Sequence, residues 1–291
     1  MIRADLHMHG PIGFQSYWLR AQGYAGKNLL KLLTDRCISR RITICAVTSQ
    51  ANEITSGSVD DRFWCLKERE APLLNADYRH DSIGENVFVV EKIGERVYFV
   101  NGQTVMPSED GKKMDILIVG SNKVPNGMSI KDTLKYGKER GLIRIAEHPY
   151  VESHGGIGKE RLEMYAEDID AVEGHNSQMI FRNFATVIPV LRKRFSEFSR
   201  EQNLKAESWA WVNNKPCVAT SDAHRIEDAG LSYIEWEGKI DDSSEEKFMR
   251  SLRNRVSYGS FNTLEKYESL LNWVNWVWKF QKGIKSGEIN D

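Results

Sequence analysis

Short apolar runs recur along the chain, separated by stretches with helical spacing of apolar positions. Strand-like runs are Met1 to Leu6, Ile42 to Val47, Val87 to Val90, Val97 to Val100, Asp115 to Val119, Ile143 to Ala146, Ile169 to Val172 and Cys217 to Ala219. Between them the pattern predicts helices near Lys27 to Arg40, Ser129 to Arg140, Lys159 to Glu167 and Met179 to Val212, the last broken or kinked at Pro189. Ser129 is a predicted N-cap with Asp132 at N3, and Gly141 follows Arg140 as a stop. Beyond these lie a β-like Ser232 to Trp236 and a helix from about Ser243 to Asn254, with Phe248, Met249 and Leu252 on one side. Residues Ser49 to Ile83 are polar and hard to assign, and read as an irregular excursion expected to cover the functional site. Alternation of this kind predicts an α/β domain with a largely parallel sheet. In such sheets, active-site groups gather at the C-terminal ends of strands.

Polar side chains stand where this rule wants them. The first run ends in Asp5-Leu6-His7-Met8-His9, and alternate residues of a strand share a face, so His7 and His9 can grip one ion while Met8 points away. Two satisfied polar side chains would give the same spacing. A late run, Cys217 to Ala219, leads into Thr220-Ser221-Asp222-Ala223-His224, a second imidazole with a carboxylate two residues before it, which tips the reading toward metal. Imidazole nitrogen with carboxylate oxygen suits zinc, manganese or iron, and open coordination positions suit hydrolysis. Glu147-His148-Pro149 and Glu173-Gly174-His175-Asn176 follow two further runs.

Composition removes several alternatives. Forty basic against forty-one acidic residues give a net charge of −1, so no global field recruits nucleic acid or an anionic membrane. The four cysteines form no C-x-x-C pair, which fits reduced thiols. With no membrane-length apolar run and no leader-like N-terminus, a cytoplasmic protein is expected. Leu264 to Phe280 carries Trp273, Trp276 and Trp278. That divides the chain into a domain over 1–258 and a tryptophan-rich helical tail over 259–291, which packs on the domain or pairs with a second copy.

Taken together, Asp5 to Gly10, Glu147-His148-Pro149 and Ser221-Asp222-Ala223-His224 resemble the PHP (polymerase and histidinol phosphatase) family of metal-dependent phosphoesterases. The likeness runs in the family's order to about Tyr258, and includes Gly102-Gln103, Met128-Ser129 before a helix, and Val172-Glu173 before Asn176. It implies a distorted (β/α)7 TIM-like barrel with up to three metal ions. By motif, His7 and His9 fall on ligands of a first metal completed by Asp222, His148 on a ligand of a second, and His224 on a ligand of a third. Asp115 stands where many members have histidine. The chain departs from the pattern at Thr48-Ser49-Gln50, where the family has Thr-Asp-His, at Gly102-Gln103-Thr104, where it has a bridging glutamate, and at Gln15. On this reading the third site is depleted and the bridge is missing, leaving one or two divalent ions. Glu53, Glu173, His175 and His154 are substitute ligands to weigh against ordinary surface roles. Arg144, Arg182 and Arg225 are candidates for gripping phosphate.

The expected function is hydrolysis of a phosphomonoester or small phosphodiester. A nuclease is the alternative, with Arg192-Lys193-Arg194-Phe195 as its suggestive basic cluster. A third reading is a catalytically weakened metal-binding scaffold.

Overall fold

The computed structural model describes residues 1–9, 23–50, 61–180 and 199–285. The strands are β1 (Ile2–Met8), β2 (Ile44–Gln50), β3 (Tyr78–Ser82), β4 (Val87–Lys92), β5 (Glu95–Val105), β6 (Ser108–Glu109), β7 (Lys112–Lys113), β8 (Ile116–Val119), β9 (Ile143–Ala146), β10 (Ala171–Asn176), β11 (Cys217–Thr220), β12 (Tyr233–Trp236) and β13 (Asn262–Leu264). All but the small β6–β7 hairpin join one sheet, in which β11, β10, β9, β8, β5, β2 and β1 are successive neighbours. The sheet nearly closes on itself. Asp222 N donates to His7 O at 2.8 Å and His9 N to Ala223 O at 3.0 Å, so the chain just past β11 lies against the end of β1. The architecture is α/β, a distorted TIM-like barrel.

Alternation along the strands divides the wall into two faces. Leu6, Ala46, Val100, Leu117, Ile145, Ala171 and Val218 meet in one buried cluster that fills the barrel. Intervening residues face an outer layer of helices. Leu30, Leu33 and Cys37 of α1 (Leu29–Ser39) pack with Cys45 and Val47. Ile130 and Leu134 of α2 (Ile130–Glu139) pack with Ile116 and Ile118. After α3 (Gly158–Met164), Ala206 and Trp209 of α4 (Arg200–Val212) lie in the same cluster as Val172.

The helix ends follow the sequence signals. Ser129 Oγ accepts from Asp132 N at 3.0 Å, and Gly141 takes a left-handed φ of 68° after the last turn of α2. α5 (Glu245–Ser257) puts Phe248, Met249, Leu252 and Val256 into the barrel cluster, with Phe248 5.2 Å from the Tyr98 ring near the start of β5. This helix plugs the N-terminal end of the barrel, and burying Phe248 alone is worth about 2 kcal/mol. The opposite end is left for polar side chains.

Four expectations change. β2 and β5 run further than their apolar cores, pairing in register from Ile44 with Tyr98 to Gln50 with Thr104. The polar excursion contains β3, which among the described strands is hydrogen-bonded only to β4 and is exposed beyond Tyr78, so one side of it needs no apolar residues. The helix expected from Met179 is found from Arg200, capped by Ser199, while Met179 and Ile180 are not helical. Pro189 lies outside the described residues. The sheet is also less parallel than expected: β8 runs antiparallel to both β5 and β9, which places its first residue at the same end as the last residue of β9.

The tail forms α6 (Leu270–Lys285), on which Leu271 is 78% and Trp278 60% exposed. No described helix is long and apolar enough to cross a membrane.

Candidate metal centre

The polar end of the barrel is an extension of its apolar interior by the same period of two. Ile143 and Ile145 lead to Glu147, Ala171 leads to Glu173, and Val218 leads to Thr220 and Asp222. On the reversed β8, Val119 and Leu117 lead backwards to Asp115. In β1 the register shifts between Asp5 and Met8, so His7 and His9 turn toward the site although Leu6 already faces the barrel. Met8 packs outward with Cys45 and Val47.

Two trios of potential ligand atoms result, each with its atoms within 4.8 Å of one another: His7, His9 and Asp222, and Asp115, Glu147 and His148. His7 Nε2 lies 3.1 Å from His9 Nε2, and Asp222 Oδ1 lies 3.5 and 3.3 Å from the two. His9 Nδ1 faces Thr48 O at 2.9 Å and His7 Nδ1 faces Glu173 Oε1 at 2.8 Å, both acceptors. These partners assign the ring protons to Nδ1, leaving two Nε2 lone pairs aimed at one point beside a carboxylate oxygen. Asp222 Oδ1 and Glu147 Oε2 are buried with no hydrogen-bond partner. Such a donor set fits a divalent cation.

Electrostatics agree. Burial opposes a charge on His7, yet Glu147, Asp222 and Glu173 together hold its pKa well above the usual range. Burial and Glu147 push the Asp115 carboxyl up to about 7. Burial lowers His148, but Glu147, with Glu173 and Asp115 nearby, outweighs that and raises it to about 9. These shifts describe a dry pocket with surplus negative charge, which attracts a cation of any kind. Backbone strain collects here too, since His148 and Asp222 have φ of 24° and 46°.

The surroundings fix the trios in place. Glu173 is fully occupied, accepting from His7 Nδ1, His148 N at 2.7 Å, Asn176 Nδ2 at 3.1 Å and Thr220 Oγ1, so it positions ligands instead of being one. Asp115 N donates to Gly155 O at 2.6 Å, and a Cβ on Gly155 would stand 1.9 Å from Asp115 Oδ2, so the glycine-rich loop closes on this carboxylate. His224 sits against His9 with ring centroids 4.8 Å apart, its Nδ1 bonded to Asp222 O at 2.8 Å. Burial outweighs the neighbouring Asp222 and, helped by His9 and Arg62, lowers its pKa to about 3 and keeps it neutral.

Several expected residues lie elsewhere. His175 faces outward, because a register shift after Glu173 turns Asn176 inward instead; it lies with Glu207 and Glu265. Arg144 is bidentate to Asp170 at 2.8 and 2.7 Å, and Arg225 is bound to Asp228 and Glu268, so neither is available to grip phosphate. His154 is exposed. Gln15, Glu53, Arg182 and Arg192 to Phe195 lie outside the described residues, as does the side chain of Gln50. Two buried carboxylates were not singled out from sequence. Glu147 was discoverable by extending Ile143-x-Ile145 two residues. Asp5, which accepts from Ser221 N at 3.1 Å and Gly230 N at 2.8 Å, binds the base of β1 to the Asp222 segment.

A family model described as PHP-associated matches residues 200–257, from α4 through α5. Comparison with curated proteins gives no match. Among solved structures, PsfC from Pseudomonas syringae is similar over 98% of this chain and 99% of its own, at 12% identity and a TM-score of 0.58. A two-domain protein from Bacteroides vulgatus, containing a predicted PHP-like metal-dependent phosphoesterase, is similar over 91% of this chain and 65% of its own, at 12% identity and a TM-score of 0.52. The chain therefore shares its fold with a PHP-like protein, and its match to the PHP-associated model spans α4 to α5. The matched segment supplies both the helix behind β10 and the plug at the far end of the barrel.

Proposed function

We propose that this chain is a PHP-family metal-dependent hydrolase of phosphate esters, acting on a phosphomonoester or small phosphodiester. The observation that carries the reading is the meeting of His7 Nε2 and His9 Nε2 at 3.1 Å beside Asp222 Oδ1, with both Nδ1 atoms committed elsewhere. His7, His9 and Asp222 would hold one divalent ion, and Asp115, Glu147 and His148 provide donors for another. When bound, such ions lower the pKa of water to about 7 and offset charge on the phosphoryl oxygens. The protein's own part is orientation. Glu173 and the Thr48 carbonyl hold the imidazoles with Nε2 forward, and Asp5 holds the segment that delivers Asp222. Neutral His224 stands at the rim of the first trio, where its imidazole can take a ligand position.

The test is turnover of an aryl phosphate, a bis-aryl phosphate and a labelled oligonucleotide by protein stripped with chelator and resupplied with manganese or zinc. Metal-dependent cleavage of an aryl ester, lost in His9→Ala and Asp222→Ala, supports the reading. Undiminished turnover in both variants rejects it, and metal-dependent shortening of the oligonucleotide alone moves the assignment to a nuclease.

A further inference from the structure

Glu147 belongs to neither imidazole group alone. Its Oε1 lies 3.3 Å from His7 Nε2 and 3.2 Å from His148 Nε2, so one oxygen touches a ring from each trio. The residue is 2% exposed, and its Oε2 has no hydrogen-bond partner. Leaving a charged oxygen dry and unpaired is costly, and two histidines do not use its remaining lone pairs.

Two strands along the wall, β5 does not supply such a carboxylate. Thr104, at the position where the resembling sequences carry glutamate, ends the inward series of β5 as a short neutral side chain with a buried, unpartnered Oγ1. Gln103 is turned to the backbone of Val124, donating to its carbonyl and accepting from its N–H, each at 3.0 Å. Two divalent ions held at adjacent trios repel each other, and an anion placed between them offsets that repulsion. Glu147 is a buried carboxylate with one oxygen against the Nε2 atom of a ring from each trio, whereas Glu173 meets His7 at Nδ1 and His148 at its backbone N–H.

We propose that Glu147 bridges a dinuclear divalent-metal centre, joining the ion held by His7, His9 and Asp222 to the ion held by Asp115 and His148, so that β9 provides the bridge absent from β5. This rests on the metal-dependent reading of the site. The bridge makes occupancy of the two positions interdependent, so its removal costs an ion and the magnetic coupling of the pair.

The experiment loads chelator-stripped full-length protein with manganese, counts bound ions by elemental analysis after desalting, and records low-temperature electron paramagnetic resonance. The wild type is expected to bind two ions with an exchange-coupled spectrum. Glu147→Ala and the isosteric Glu147→Gln are expected to bind one ion with an uncoupled six-line signal, while circular dichroism reports a folded chain. Regain of the coupled pair in Glu147→Ala/Thr104→Glu would place the defect in the missing anion. A coupled pair persisting in both single variants, or a single ion in the wild type, overturns the bridge and leaves the metal reading intact. No bound ion in the wild type overturns the metal reading itself.

Discussion

His7 Nδ1 and Glu173 Oε1 lie 2.8 Å apart with both side chains shut off from solvent, so the ring at the middle of the centre is aimed by a carboxylate that holds no metal position itself. Groups that orient an imidazole this way typically change metal affinity by about 10- to 100-fold when removed. Glu173→Gln is therefore expected to weaken metal binding by that factor without abolishing it, as measured by competition with a chromophoric chelator. Unchanged affinity would show that the contact does not aim the ring.

Chelation should cost stability. An ion that binds only the folded chain contributes about 2.7 kcal/mol at a concentration one hundred times its dissociation constant. Adding chelator should lower the melting temperature of the metal-loaded wild type by several degrees. Asp222→Asn, which tolerates the positive φ there but offers a poor ligand, should show a smaller drop on chelation than the wild type.

Arg144 and Asp170 are each only 8% exposed and paired through two hydrogen bonds, with Asp170 also accepting from Ser257 Oγ at 2.9 Å. Removing one partner of a buried pair leaves the other charge uncompensated, so Arg144→Met should destabilise by about 3–5 kcal/mol in denaturant unfolding. Under conditions where the variant is folded, its KM for a phosphate ester should match the wild type. A raised KM with undiminished stability would return Arg144 to the substrate.

Burial and the neighbouring Glu265 push the Glu207 carboxyl from the usual 4.5 up to about 7. The folded chain thus binds this proton more tightly than the unfolded one. The resulting stability is present in full below about pH 4.5 and is lost as pH rises through about 7. Melting curves from pH 5 to pH 8 should fall less steeply for Glu207→Gln than for the wild type. Parallel curves would show that Glu207 titrates normally.

Much of the fold was legible because apolar alternation and helix caps are local signals. The strand cores, the Ser129 cap and the face of α5 carrying Phe248 all follow from neighbours in sequence. What stayed hidden depends on pairing between distant segments. The shift in β1 that lets Leu6 and His7 both turn inward, and the one in β10 that sends His175 out, are set by partners on adjacent strands. Motif matching named His148 but passed over Glu147, because resemblance directs attention to the positions a family shares. Guanidinium groups were read by their chemistry alone, and only the coordinates show that Arg144 and Arg225 already have carboxylates.

The reversal of β8 has a consequence for how this domain tolerates change. Asp115 enters the pocket from the stretch that precedes its strand, whereas Glu147 and Asp222 enter from the stretches that follow theirs. The linker over residues 120–129 consequently begins at the plugged end and runs back along β5 to the site end, held by Gln103 at Val124 and by Ser108 at Met128, so it ties the two ends of the barrel together. The β6–β7 hairpin, which feeds Asp115, is the place where a single added residue would be felt.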